Sequence, residues 1–258
     1  AVTFFGAAIV PLFLFIPSPK RTDLDLVDGK KKSLWADVYE GALYIWRRRS
    51  FLWLLGTFAV GNVVGGTVGL MQTMIIRFQL EPDWLARNFS LETALAFMGT
   101  IASVGGVAGG IFISAWGGLK QRRVYGVLIA MIFSGTGTIL LGLSDRLYLA
   151  GGAAFLSSAM IPIMNAHSQA IWQTQTPREL QGRVFAVRRL IAQFSWPAST
   201  FLAGVLASRF DPGMVTIVMG SILVVWCLAS LFNKHLMRIE DRDWIEAQAL
   251  NYDKANIS

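Results

Sequence analysis

FLWLLGTFAVGNVVGGTVGLMQTMII, residues 51 to 76, runs for 26 residues without a charge; it is entered through Arg47, Arg48 and Arg49 and left through Arg77. As a helix rising 1.5 Å per residue it reaches about 39 Å, enough to cross a hydrocarbon core of about 30 Å. Five more apolar runs follow it, at residues 94 to 116, 124 to 143, 147 to 172, 184 to 208 and 214 to 232. Each is long enough to span as a helix, whereas a membrane barrel would show alternating segments of about ten residues. The pattern predicts an all-α membrane protein.

Composition agrees. Of 258 residues, 54% are hydrophobic and 15% charged, with a mean hydropathy of +0.51; soluble domains run near 25% charged. The net charge of +7 does not point to a nucleic-acid partner, because the basic residues sit in short clusters between the apolar runs. Counted by alternate connections, seventeen lysines and arginines fall on one side and four on the other. The first group takes in Lys20 and Arg21, Lys30 to Lys32, Arg47 to Arg49, Lys120, Arg122, Arg123, Arg178, Arg183, Arg188, Arg189, Lys234 and Arg238. The positive-inside rule makes that side, and with it the C-terminus, cytoplasmic. A single cysteine, Cys227, lies inside an apolar run, so neither a disulfide framework nor a thiolate metal site can be built. No cofactor, metal site or catalytic constellation stands out.

Four regions follow. Residues 1–17, beginning AVTFFGAAIVPLFLFI, are apolar but too short to span and lack a signal peptide's basic start and cleavage site, so they read as a truncated transmembrane helix. Residues 18–50 read as a cytoplasmic linker. It ends in an amphipathic surface helix, SLWADVYEGALYIWRRR, with Trp35, Val38, Ala42, Ile45 and Trp46 recurring at helical spacing and Ser33 as its N-cap. Residues 51–233 hold the six-helix transmembrane bundle. Residues 234–258 form a polar cytoplasmic tail, a short helix at most.

A partial helix, a long basic linker and six spans ending inside form an order that resembles the major facilitator superfamily from its sixth helix to its twelfth. TPRELQGRVFAVRRL (Thr176 to Leu190) is similar to the segment before helix eleven in the drug- and siderophore-exporter branch. GGIFISAWGGLKQRR (Gly109 to Arg123) is similar to the superfamily's loop motif between helices eight and nine, but carries Ser114 where an aspartate is expected. The resemblance implies two six-helix bundles around a central cavity opened to each side in turn. This chain would then be the C-terminal bundle, its missing N-terminal six-helix half coming from the same or a separate chain. The expected location is the bacterial inner (plasma) membrane, with lipid and a small-molecule substrate as the other partners.

All sixteen acidic residues fall outside the apolar runs, so coupling to protons or sodium would need a carboxylate from elsewhere, or His167. That histidine is either a proton relay or a packed histidine near the membrane edge. Uncharged polar residues fall on helical stripes: Asn62, Gln72 and Thr73; Asn165 and Gln169; Gln193, Trp196 and Thr200. They either line the substrate cavity or join helices by hydrogen bonds. Gly105, Gly106, Gly109 and Gly110 form two small-xxx-small pairs, read as packing sites. Arg122, Arg123 and Arg183 hold orientation and contact lipid, or join a cytoplasmic gate in which Glu179 is the expected acid. The leading expectation is half of a secondary active transporter, exporting a small solute. The rival is a non-transporting scaffold or assembly subunit of a larger membrane complex that keeps a transporter fold.

Overall fold

The computed structural model describes residues 26–27, 30–31 and 34–257. The expected truncated span at 1–17 and the cap at Ser33 lie outside the described residues. The chain divides into two units, 1–37 and 38–258. Among the described residues of the first, β1 (Leu26–Val27) and β2 (Lys30–Lys31) pair antiparallel, Leu26 opposite Lys31 and Val27 opposite Lys30. The surface helix expected over 33–49 is α1 (Leu34–Trp46).

The second unit is helical: α2 (Arg49–Met74), prolonged by a π-helical turn at Ile75–Gln79; α3 (Glu81–Ala86); α4 (Leu91–Trp116); α5 (Arg123–Leu143); α6 (Leu147–Gln175); α7 (Arg178–Ala207); α8 (Pro212–Ser230); α9 (Lys234–Met237); and α10 (Arg242–Ile257). Six of these, α2 with its π turn and α4 to α8, are long and apolar enough to cross a membrane. They match the six apolar runs. The main shift is at α7, which starts at Arg178 rather than 184. Boundaries follow local chemistry. Ser90 Oγ accepts from Thr93 N–H to open α4, Asp211 Oδ1 accepts from Met214 N–H before Pro212 opens α8, and Gly117, at φ 77°, closes α4.

Around the bundle the neighbours run α7, α2, α8, α5, α6, α4. Small residues set three of the contacts. The parallel pair α4 and α6 meets at Gly105 against Phe155 and Gly109 against Ala159; the antiparallel pair α5 and α8 meets at Gly135 against Gly220 and Gly142 against Gly213; α2 and α7 meet at Gly66 against Ser199. Inside a bilayer such close approach replaces the hydrophobic effect as the source of helix association. The burial of the spans differs: 56% of an 18-residue apolar stretch of α5 is inside the bundle, but only 11% of the corresponding stretch of α7. Large apolar side chains such as Val107, Ile111, Phe133 and Val225 point outward, as a lipid-solvated surface requires.

Within the second unit, ion pairs gather at the end of the bundle that holds Arg48, Arg123 and Arg183. Arg48 pairs with Glu246 (3.0 Å), Arg123 with Glu240 (3.4 Å) and Arg183 with Glu40 (3.2 Å). At the other end Gln79 Nε2 donates to the carbonyls of Gly142 (3.0 Å) and Ser144 (2.8 Å), and Asp83 accepts from Leu147 N–H (2.9 Å). Two guanidinium bonds from Arg87, with that amide, hold the Asp83 carboxyl below its ordinary pKa.

The tail, expected to hold a short helix at most, carries α9 and the 16-residue α10. Asn233 Oδ1 caps α9, and Leu236, Ile239 and Ile245 are buried in the core at the basic end with Tyr44, Phe51 and Trp172. Gln248 clasps Ser50 through both backbone (3.0 Å) and side chain (2.8 Å). Burial of these three apolar residues anchors the otherwise polar tail to the bundle. On α1, Val38, Ala42 and Ile45 face the same core, whereas Trp35 and Trp46 are exposed.

Candidate functional site

The candidate cavity residues lie on α2, α6 and α7. Asn62 and Gln72 are half-buried on α2, and Thr73 is exposed. On α6, Asn165 is exposed and Gln169 half-buried. On α7, Gln193, Trp196 and Thr200 are all exposed, flanked by Phe194 and Phe201. On the same helix Ser199 is buried against Gly66 of α2. Exposed amides are not holding helices together within this bundle, which favours the cavity reading for Asn165 and Gln193. The hydroxyl of Thr200 bonds back to the Trp196 carbonyl in its own helix (3.1 Å).

Between α6 and α7 lies a feature that sequence alone assigns to orientation. Arg188 is half-buried; its guanidinium donates to Gln169 Oε1 (2.8 Å) and Ser168 Oγ (3.1 Å) and lies over the rings of Trp172 and Phe58 at 5.5 and 5.7 Å. It therefore ties together α2, α6 and α7, the three helices carrying the polar stripes. The i, i+4 spacing of Asn165 and Gln169 gives no hint of it, since the arginine and its partners are on different helices. Gln169 thus belongs to an interhelical bond as well as to the stripe.

His167 is buried, 3% exposed. Its Nε2 accepts from Leu119 N–H (3.0 Å), so the ring proton is on Nδ1, which donates to the Ile163 carbonyl (2.8 Å). Trp116 packs beside the ring at 5.7 Å. Two glycines with positive φ, Gly117 (77°) and Gly118 (71°), turn the chain after α4 so that Leu119 can reach it. A Cβ at Gly126 would stand 2.6 Å from the ring's Cγ, so that glycine makes room for it. This geometry favours the packed histidine over the relay.

At the basic end the acids that pair with arginines come from α1 and from beyond α9. Glu179 is exposed in the first turn of α7, while Arg183 pairs with Glu40 of α1 and Arg123 with Glu240 beyond α9. Arg122, exposed, adopts a left-handed φ of 52° before α5, and Ser114 is exposed. The Tyr44 phenol donates to the Gln175 carbonyl (3.2 Å) and is raised above its ordinary pKa by burial. Among the described residues no group of three His, Cys, Asp or Glu could hold a metal ion.

Six membrane-length helices, packed through small residues with lipid-facing apolar surfaces, define a polytopic α-helical integral membrane protein. The model of the Major Facilitator Superfamily matches residues 1–200, and the chain belongs to that family. It is 31% identical over 130 residues to a protein of Bacillus subtilis (strain 168), the uncharacterized MFS-type transporter YvqJ; the match covers 50% of this chain and 31% of that relative. The chain thus spans less than a third of the relative's length in the matched region. No solved structure matches the chain.

Proposed function

We propose that this chain is the C-terminal half of a secondary active transporter that exports a small amphiphilic or siderophore-like solute by alternating access. The observation that carries the reading is the outer face of α7: Gln193, Trp196 and Thr200 lie in line and exposed on a helix whose 18-residue apolar stretch is only 11% buried. Amides turned to hydrocarbon lose their hydrogen bonds to water and gain none. Such a face is accounted for by a second bundle with a wet cavity between the two. In this reading Asn62, Gln72 and Thr73 of α2 and Asn165 and Gln169 of α6 complete the cavity wall, and the ion pairs Arg123–Glu240 and Arg183–Glu40 brace its cytoplasmic end.

The full-length protein in proteoliposomes is expected to move labelled amphiphiles at a rate that an imposed pH gradient raises; the absence of flux for neutral, cationic and anionic members of such a panel would remove the reading. Orientation is tested separately. Cys227 is fully buried, and labelling of an added cysteine is read as the increase over the unsubstituted protein. Lys254→Cys should react with an impermeant maleimide in inverted vesicles only, and Glu81→Cys in right-side-out vesicles only; the reverse pattern would invert the topology.

A further inference from the structure

We propose that Arg188 is a recognition residue for an anionic group of the transported solute, which makes the substrate class a small amphiphilic anion: a carboxylate or other oxyanion on an aromatic or aliphatic body. This rests on the transport reading above.

The other half-buried arginines of the described chain set the comparison. Arg47, Arg48, Arg87, Arg123 and Arg183 each face a carboxylate within 3.4 Å. Arg188 has no acidic partner among the described residues. It lies five residues beyond Arg183, about 7.5 Å further along α7, and so deeper than the paired ring of charges at the basic end. The carboxylates of the described chain lie at the ends of the spans or outside them. A guanidinium has five N–H donors and no acceptor. Gln169 and Ser168 engage two of the donors with neutral oxygens, which orients the planar group and leaves its charge uncompensated. A cation drawn away from water is costly unless an anion meets it. The half-buried ring of Phe58 beside it offers apolar surface for the body of the same ligand, while the buried ring of Trp172 backs the guanidinium from the core side. A fixed cation, donors to spare and an adjacent aromatic ring together fit an amphiphilic oxyanion better than a neutral or cationic solute.

The test uses the full-length protein in detergent, with radiolabelled 2-naphthoate and its neutral counterpart 2-naphthamide in equilibrium binding. Wild type is expected to bind naphthoate the more tightly. Arg188→Gln should weaken naphthoate by about tenfold to a hundredfold, Arg188→Lys should retain part of the binding, and naphthamide should bind all three proteins alike, which reports an intact fold. Equal naphthoate binding in wild type and Arg188→Gln, or no preference of wild type for naphthoate over naphthamide, overturns the proposal. A carboxylate from elsewhere in the protein already seated on Arg188 would give the second of these results. Flux of neutral amphiphiles is independent of both: if it persists while the anion preference is absent, only the anion class falls; if no solute moves but naphthoate binds through Arg188, the transport reading falls and the anion site stands.

Discussion

Gly109→Val is expected to strip α4 from the bundle and lower the thermal unfolding midpoint in detergent by about 6 to 12 °C, the equivalent of about 3 kcal/mol. The reason is backbone against backbone. A Cβ at Gly109 would stand 2.8 Å from the Ala159 carbonyl carbon, and one at Gly105 would stand 2.5 Å from the Phe155 oxygen. Neither neighbour is a side chain that can rotate aside. Both contacts belong to the same pair of parallel helices, so α4 cannot yield at one without losing the other. Among the described residues α4 sits at the end of the row, next to α6, with no second broad contact to hold it. Gly110→Val is the control, because a Cβ there meets nothing within 4 Å; the same residue change one position on should leave the midpoint nearly unmoved. Equal midpoints for the two variants would show that α4 and α6 do not meet along the Gly105 and Gly109 stripe.

That contrast also shows where sequence reading stops. The glycine tetrad announces close packing, but Gly105 with Gly109 and Gly106 with Gly110 have the same spacing, and only the position of α6 tells which pair faces it. The spans themselves are legible because solvation by hydrocarbon imposes one rule on every turn of a helix, and six long apolar stretches obey it without reference to one another. Ion pairs obey no local rule. Arg123 and Glu240 are 117 residues apart, and Glu179, nearest in sequence to Arg183, is not the acid that meets it. The tail is hard to read for a related reason: Leu236, Ile239 and Ile245 make a weak apolar signal, and their burial depends on a core built by α1, α2, α5 and α6. Arg188 is hidden by its company. Beside Arg183 and Arg189 it reads as one more cytoplasmic cation, and only the side on which it leaves α7 separates it from them.

His167→Ala is expected to cost about 3 kcal/mol of stability while leaving the response of flux to an imposed pH gradient unchanged. Removing the imidazole takes away the acceptor of Leu119 N–H, and a buried amide left unpaired costs about 1 to 3 kcal/mol. It also empties the space that Gly126 keeps open against the ring, and a cavity adds its own penalty. The opposite expectation for coupling follows from the same two bonds. With Nε2 accepting from Leu119 and Nδ1 donating to Ile163, a second ring proton would have to point at the amide hydrogen of Leu119, donor against donor. Protonation therefore requires the turn at Gly117 and Gly118 to open, which a relay cycling on every turnover would have to do each time. His167→Gln can offer an oxygen to the same amide and should recover part of the stability. If the alanine variant keeps the wild-type midpoint yet no longer responds to the gradient, the ring carries protons and the clasp does not describe its role.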